Sequence, residues 1–382
     1  MKLAFCLFKF FPYGGLQRDF LRIARVCQKR GHEIHVYTMH WEGEPEEGFH
    51  IHLPKVTASQ NHTRCQIFSD KLQEQLKTNS FDVVIGFNKL PHLDIYYTAD
   101  VCYQDRIHNN RFFFHRWLPR YRQLASLEKS VFARGNSTQI LLLAAQQQAP
   151  YVQHYQTEAE RFHLLPPGIS QDRIAPKNAM EIRKKIRSDY QLTENHKLIL
   201  MIGSGFKAKG LDRAILALAN LPEDIKNCCQ LFVIGQDDAS RFQRLAKKLN
   251  LEKRVLFLGG QDDIPSFLLA ADLLIHPAYH ENTGTVILEA IVSGLPVLTT
   301  DVCGYAHYVY EAKAGKVLPS PFQQSELNKT LQNMLSSPEQ LTWKQNGIAF
   351  AQYADIYSLP EKTADIIETI GKQRETLSAR TY

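Results

Sequence analysis

Apolar residues along this chain fall into short unbroken runs, separated by stretches where apolar and polar positions alternate with helical spacing. Leu3 to Phe10 is the first run and reads as a buried strand. "PYGG" follows as a turn. From there Leu16, Phe20, Ile23, Ala24 and Cys27 recur at helical spacing up to Lys29, and Gly31 supplies a C-cap. "EIHVYT" is the next strand, "FDVVIGFN" and "TQILLLAA" are further buried strands, and "LPPGI" at Leu165 to Ile169 is a turn. The alternation then restarts. "KLILMIGSG", "QLFVIG", "RVLFLGG", "DLLIHPA" and "LPVLTT" read as strands, with "GLDRAILALANL", "SRFQRLAKKL", "IPSFLLAA" and "GTVILEAIVSG" as the helices between them.

Strands alternating with helices at this spacing predict an α/β fold of parallel, doubly wound, Rossmann-like sheets with helices on both faces. Two separate series predict two domains, 1–166 and 167–358, with the boundary near Pro166–Pro167. The C-terminal segment 359–382, with "LPEKTADIIETIGKQ", is expected to fold back and join the first. Open α/β sheets bind ligands at the carboxyl ends of their strands, so two facing sheets predict an inter-domain cleft.

Size agrees, since 382 residues exceed one ordinary core. Apolar content of 44% and charged content of 22% are those of a soluble globular protein. A net charge of +6 is mild and points to an anionic ligand or surface without saying which. The seven cysteines are odd in number, form no C-x-x-C and sit partly in apolar runs, which predicts reduced core thiols in a cytosolic protein. The start, "MKLAFCLFKFFPYGG", has the look of a signal peptide, but Lys9 interrupts the run and no small-residue cleavage site follows, so a first strand is the better reading. No run of eighteen apolar residues exists, so no membrane-spanning helix is expected.

Candidate chemistry gathers at strand ends. Gly14–Gly15 opens the first helix, where backbone N–H groups suit an anion, although an ordinary β–α turn reads the same way. Gln17, Arg18 and Asp19 follow in its first turn. "GSGFKAKG", Gly203 to Gly210, is a loose dinucleotide fingerprint and on its own a weak one. Lys207 and Lys209 within it stand where a lysine can neutralise a diphosphate, and Arg173 is a second basic candidate. The sharpest stretch is "HPAYHENTGTVILEA". Glu281 sits in a loop after a strand, Gly284 lets the chain approach a ligand, and Glu289 follows on an apolar helix. A buried carboxylate without a partner costs several kcal/mol, on the order of what a marginal fold can bear, so these two glutamates are either paired or part of a site. Carboxylates also hold vicinal sugar hydroxyls.

Tyr103 to Arg134 mixes seven Arg and Lys residues, among them Arg111, Arg116, Arg120 and Lys129, with Phe112, Phe113, Phe114, Trp117 and Tyr121. Only Asp105 and Glu128 oppose the charge. The combination suits an anionic lipid surface, with RNA stacking as the rival and packing on the first domain as the plain alternative. No Asp-x-Asp, H-E-x-x-H, G-x-S-x-G or G-x-x-x-x-G-K-[ST] occurs, so a metal shared with a nucleotide diphosphate is not indicated.

The spacing in "ENTGTVILEA" resembles the E-x7-E motif of retaining GT-B glycosyltransferases of family 4. With "FPYGGLQRDF", "GFNKLPHLD", "HYQTEAERFHLLPPGI", "HPAYHENTGTVILEAIVSGLPVLTTDVCGYAHY" and "YSLPEKTADII", the chain resembles, nearly end to end, the family of lipopolysaccharide core glucosyltransferases. The resemblance implies a retaining transfer of glucose from UDP-glucose to a heptose of the heptosylated lipid A-core acceptor, without metal or other cofactor and without nucleic acid. It implies that Glu289 holds the ribose hydroxyls and that Glu281 contacts the transferred glucose. Arg173 and Lys209 would neutralise the diphosphate, with N–H groups at Gly15 and Gly284. Asp19 and Asp100 would face donor and acceptor, as catalytic candidates with Glu281. It makes 103–132 a segment contacting the anionic inner-membrane lipid surface, hence a cytoplasmic, peripheral enzyme on that face. Two positions depart from the pattern: Ala208 stands where an arginine is expected, and Thr285 replaces an apolar residue. A UDP-sugar epimerase on the same fold and a dinucleotide-dependent oxidoreductase are the alternatives.

Overall fold

The computed structural model describes residues 1–12, 14–109 and 118–380. The chain divides into two units, Met1–Gly168 with Tyr357–Tyr382, and Ile169–Ile356. The first holds β1 (Lys2–Cys6), β2 (Glu33–Tyr37), β3 (Phe49–His52), β4 (Val83–Gly86), β5 (Ile95–Thr98), β6 (Gln139–Leu142) and β7 (Phe162–Leu164), in the order β3-β2-β1-β4-β5-β6-β7. The second holds β8 (Lys197–Ile202), β9 (Cys229–Ile234), β10 (Val255–Gly259), β11 (Leu273–His276), β12 (Val297–Thr300) and β13 (Gly315–Leu318), in the order β10-β9-β8-β11-β12-β13. The strand pairs are parallel in both sheets. Helices cover both faces of such a sheet, so its central strands are buried on two sides, and that is why they read as unbroken Val, Ile and Leu runs.

The strand order reverses between β1 and β4 in the first unit and between β8 and β11 in the second. At such a switch point neighbouring loops diverge and leave a crevice at the carboxyl ends of the strands. Gly14–Gly15 follows β1, the Gly203–Gly210 loop follows β8, and Glu281 follows β11.

β1 ends at Cys6 rather than Phe10. Beyond it the chain leaves the sheet, Phe8 N–H donates to Asn88 Oδ1 at 2.7 Å, and Phe10 stacks on Trp41 at 3.9 Å. Strands β3, β5, β7 and β13 are additions to the sequence reading; β3 and β7 carry histidines, and no long apolar run announces them. The helix Leu359–Arg380 lies on the first unit, where Arg30 pairs with Asp365 at 2.8 Å, His32 with Glu368 at 3.0 Å and Arg374 with Asp94. All seven cysteines are free, and all but Cys228 are buried.

The basic aromatic segment contributes the helices Tyr103–Asn109 and Pro119–Phe132. Arg111, Phe112, Phe113, Phe114, Arg116 and Trp117 lie outside the described residues. Glu128 is fully buried and organises the rest. It pairs with Lys89, accepts from the N–H groups of Tyr103 at 2.7 Å and Gln104 at 3.0 Å, and accepts from Tyr155 Oη at 2.8 Å. Burial pushes its pKa up, but Lys89 and the two N–H donors outweigh that and hold it below the usual carboxylate value. Glu128→Ala would strand Lys89 and three donors. It should destabilise the first unit by about 3 kcal/mol or more, measurable by chemical denaturation. A depressed carboxylate stabilises above its unfolded pKa and loses that contribution as pH falls through its folded one. The difference between wild type and Glu128→Ala should therefore be full at neutral pH and shrink in acid.

Candidate active site

In the second unit, two loops at the switch point are tied together by backbone. The Gly203–Gly210 loop meets the loop after β11 where Tyr279 N–H donates to Ala208 O at 2.8 Å. Arg213 on the helix Leu211–Ala219 donates to the carbonyls of Pro277 at 3.0 Å and Ala278 at 2.8 Å. Its guanidinium lies 3.6 Å from the ring centres of both Tyr279 and Phe322. Asp237, after β9, accepts from Phe206 N–H at 2.8 Å and fixes the loop from the other side.

On this frame Lys209 Nζ forms an ion pair with Glu281 Oε2. His276, the last residue of β11 and fully buried, brings its Nε2 to 3.4 Å of the same oxygen. Burial would raise the Glu281 pKa, but His276 and Lys209 outweigh it and hold the carboxyl down to about 2. Burial also opposes a charge on His276; the Cys303 sulfur and Glu281 prevail and raise its pKa above the usual imidazole value. The carboxylate is thus ionised at neutral pH, between the Lys209 ammonium and the His276 ring.

Gly203 explains how Lys209 reaches this position. It has φ of 120°, and a Cβ there would stand 2.6 Å from Lys209 Cε, so the lysine stem runs across the face of the glycine. Lys207 points elsewhere: Nζ donates to Asp212 Oδ2 at 2.6 Å and to Tyr279 Oη at 3.1 Å.

Glu281 and Glu289 flank a second glycine. Gly284 has φ of 80° and caps the helix Thr285–Val292, whose side chains after Thr285 are all buried. Glu289 is one of them. Its Oε1 lies 3.4 Å from Nε of Arg173, which is itself buried. That Nε makes no hydrogen bond, so the contact is one of charge only and leaves a donor open. The departure at Thr285 places its hydroxyl 3.4 Å from that of Thr283.

The first unit holds the other candidates. Gly15 is exposed and begins the helix Gly15–Lys29. Asp19, one turn on, accepts from Tyr97 Oη of β5 at 2.7 Å. Asp100 is exposed just past the end of β5, and its carbonyl accepts from Tyr151 Oη at 3.1 Å. The structure thus gathers Lys209, Glu281 and Gly284 around β8 and β11, pairs Arg173 with Glu289, and sets Asp19 and Asp100 by β5. His276 and Arg213 were missed by the sequence reading. A histidine closing the apolar strand "DLLIH" was a usable signal, whereas nothing around Arg213 marks its stacking role. Among the described residues, the three-ligand grouping of His, Cys, Asp or Glu falls elsewhere, on the edge strands of the first unit.

Comparison with known proteins shows the family. Residues 13–173 match the model for Glycosyltransferase Family 4, and residues 182–350 that for Glycosyl transferases group 1. The lipopolysaccharide glucosyltransferase WaaG of Escherichia coli K12 is 46% identical over 368 residues, covering 96% of this chain and 98% of that one. The crystal structure of WaaG, a glycosyltransferase involved in lipopolysaccharide biosynthesis, superimposes with a TM-score of 0.92 over 96% of this chain and 99% of that one. HepE of Anabaena, solved in complex with UDP-glucose, shares the fold at 19% identity, with a TM-score of 0.71 over 99% of this chain and 100% of that one. These matches support neither the epimerase nor the oxidoreductase. The chain belongs to the GT-B glycosyltransferases, with family 4 and group 1 units, and within them to the family of lipopolysaccharide glucosyltransferases.

Proposed function

We propose that this enzyme transfers glucose from UDP-glucose to a heptose of the lipopolysaccharide inner core, with retention at the anomeric carbon and without a metal at the diphosphate. The observation that carries the reading is the Lys209–Glu281–His276 cluster at the carboxyl ends of β8 and β11. The reaction must stabilise negative charge leaving onto UDP while the sugar becomes oxocarbenium-like, and fixed cations and N–H dipoles can do this. Without donor, Lys209 and Glu281 compensate one another. A bound diphosphate would replace Glu281 as the counter-ion of Lys209 and free the carboxylate to accept from glucose hydroxyls. Glu289 would accept from ribose hydroxyls, with the open Nε of Arg173 turned to phosphate. Backbone N–H groups at Gly284 and Gly15 add partial positive charge. Asp19 and Asp100 would serve donor and acceptor in the first unit. No protein nucleophile is assigned; the leaving phosphate would help deprotonate the acceptor, as the family resemblance implies.

Membrane attachment belongs to the same proposal. Of the two carboxylates opposing the basic segment, Glu128 is buried against Lys89, and Asp105, partly exposed, lies 3.3 Å from His154. Arg106, Arg120, Arg122 and Lys129 are exposed, as is Leu118. Such a surface would be drawn to anionic lipid, by about 1 kcal/mol per basic residue, and would hold the enzyme beside its lipid-linked acceptor on the cytoplasmic face. No helix among the described residues is long and apolar enough to cross a membrane.

Three outcomes are expected. In a donor screen with purified core acceptor, UDP-glucose should be used in preference to UDP-galactose, and NMR of the product should show an α linkage; inversion would refute the retaining mechanism. Lys209→Ala should lower turnover roughly a hundredfold, about 3 kcal/mol, and Gly203→Ala should approach that loss by displacing Lys209. Activity within twofold of wild type in Lys209→Ala would remove it from the diphosphate site. Binding to anionic vesicles should weaken as salt rises; equal binding to neutral vesicles at every ionic strength would overturn the electrostatic attachment.

A further inference from the structure

The outer edge of the first sheet carries chemistry that sugar transfer leaves unused. β2 and β3 are parallel and paired from Ile34 beside Phe49 to Tyr37 beside His52. Side chains alternate across a strand, so Glu33, His35 and Tyr37 of β2 share one face with His50 and His52 of β3. The buried His35 ring stacks on His50 at 4.7 Å and on His52 at 5.2 Å, and Phe81 closes against it edge-on at 5.1 Å. Glu33 Oε1 lies 2.7 Å from His35 Nε2 and 3.8 Å from His50 Nε2. Among the described residues, Glu33, His35 and His50 bring one ligand atom each within 4.8 Å of one another.

We propose that Glu33, His35 and His50 form a binding site for a divalent transition ion of the zinc class, with His52 orienting His35. Tetrahedral nitrogen and oxygen ligands at about 2.0–2.1 Å from zinc stand roughly 3.3 Å apart, and the two Glu33 distances bracket that separation. Two imidazoles and one carboxylate favour zinc, nickel or cobalt over magnesium or calcium, which prefer all-oxygen shells. The supporting contact is also present. His35 Nδ1 lies 2.9 Å from His52 Nε2, and His52 stacks on Tyr37 at 4.5 Å. Without metal, His35 Nε2–H donates to Glu33, and Nδ1 accepts from His52. When a metal takes Nε2, the remaining ring proton sits on Nδ1 and His52 Nε2 becomes the acceptor; such a partner fixes a ligand's tautomer and orientation.

The location indicates what the ion does. β3 is a four-residue strand at the edge of the sheet, paired only to β2. An edge so short is held by few backbone bonds, and a metal bridging Glu33 and His35 to His50 staples it in register. Glu33 begins β2, at the amino end of the strand and so at the opposite end from the glycine loop that follows β1. The ion therefore stabilises the first unit without entering the transfer reaction.

The test uses full-length protein stripped with chelator and titrated with Zn²⁺ by calorimetry and with Co²⁺ by visible absorption, together with His50→Gln and Glu33→Gln. Both positions are exposed, so both variants are expected to fold, and circular dichroism checks it. Wild type should bind one Zn²⁺, give Co²⁺ d–d bands of a low-coordinate nitrogen and oxygen site, and melt at higher temperature with Zn²⁺. Both variants should bind at least tenfold more weakly and lose the thermal shift, while glucosyl transfer stays unchanged. Absence of binding in wild type at micromolar Zn²⁺, or the same stoichiometry and affinity in both variants, would overturn the assignment.

Discussion

At the mouth of β8 and β11, Lys209 and Glu281 hold one another in a half-buried ion pair. Burying an unpaired charge costs several kcal/mol, on the order of half the net stability of a domain. The surrounding structure serves this constraint. Gly203 clears a path for the lysine stem, and Gly284 turns the chain so that Glu281 faces back toward β8. Arg213 clamps the carbonyls of Pro277 and Ala278, and His276 brings its imidazole Nε2 to the carboxylate. Arg173 and Glu289 repeat the arrangement on the far side of Gly284.

Paired charges of this kind suit a site that must accept a dianionic diphosphate and several hydroxyl groups. Such a ligand would bring its own anion for the cation and its own donors for the carboxylate, so charge would stay compensated before and after binding. Under the proposed function, that exchange would let a half-buried lysine and glutamate be stable in the free enzyme and still be available to the donor. Beside Glu289, the buried Nε of Arg173 makes no hydrogen bond and is a donor left unused.

Much of this was legible in the sequence. Buried parallel strands announce themselves as runs of Val, Ile and Leu, and Glu289 stands out because the helix between Thr285 and Val292 is otherwise apolar. The glycine loop after β8 was legible as a loop, but its meaning was not: Gly203 is shaped by Lys209, six residues on, rather than by a dinucleotide. Lys207 and Lys209 look alike in sequence, and only the fold sends one to Asp212 and the other to Glu281. Short strands such as β3 and β7, with histidines among their few residues, carry too little apolar pattern to be read. The internal role of Glu128 was hidden because its partners Lys89 and Tyr155 are far away in sequence.

The most direct measurement is a crystal structure of the enzyme with UDP bound. The account predicts that Lys209 Nζ leaves Glu281 for a phosphate oxygen, while Glu289 accepts from both ribose hydroxyls and Arg173 turns its open Nε to the diphosphate. A nucleotide lodged elsewhere, with Lys209 still joined to Glu281 and Arg173 still facing Glu289, would contradict it.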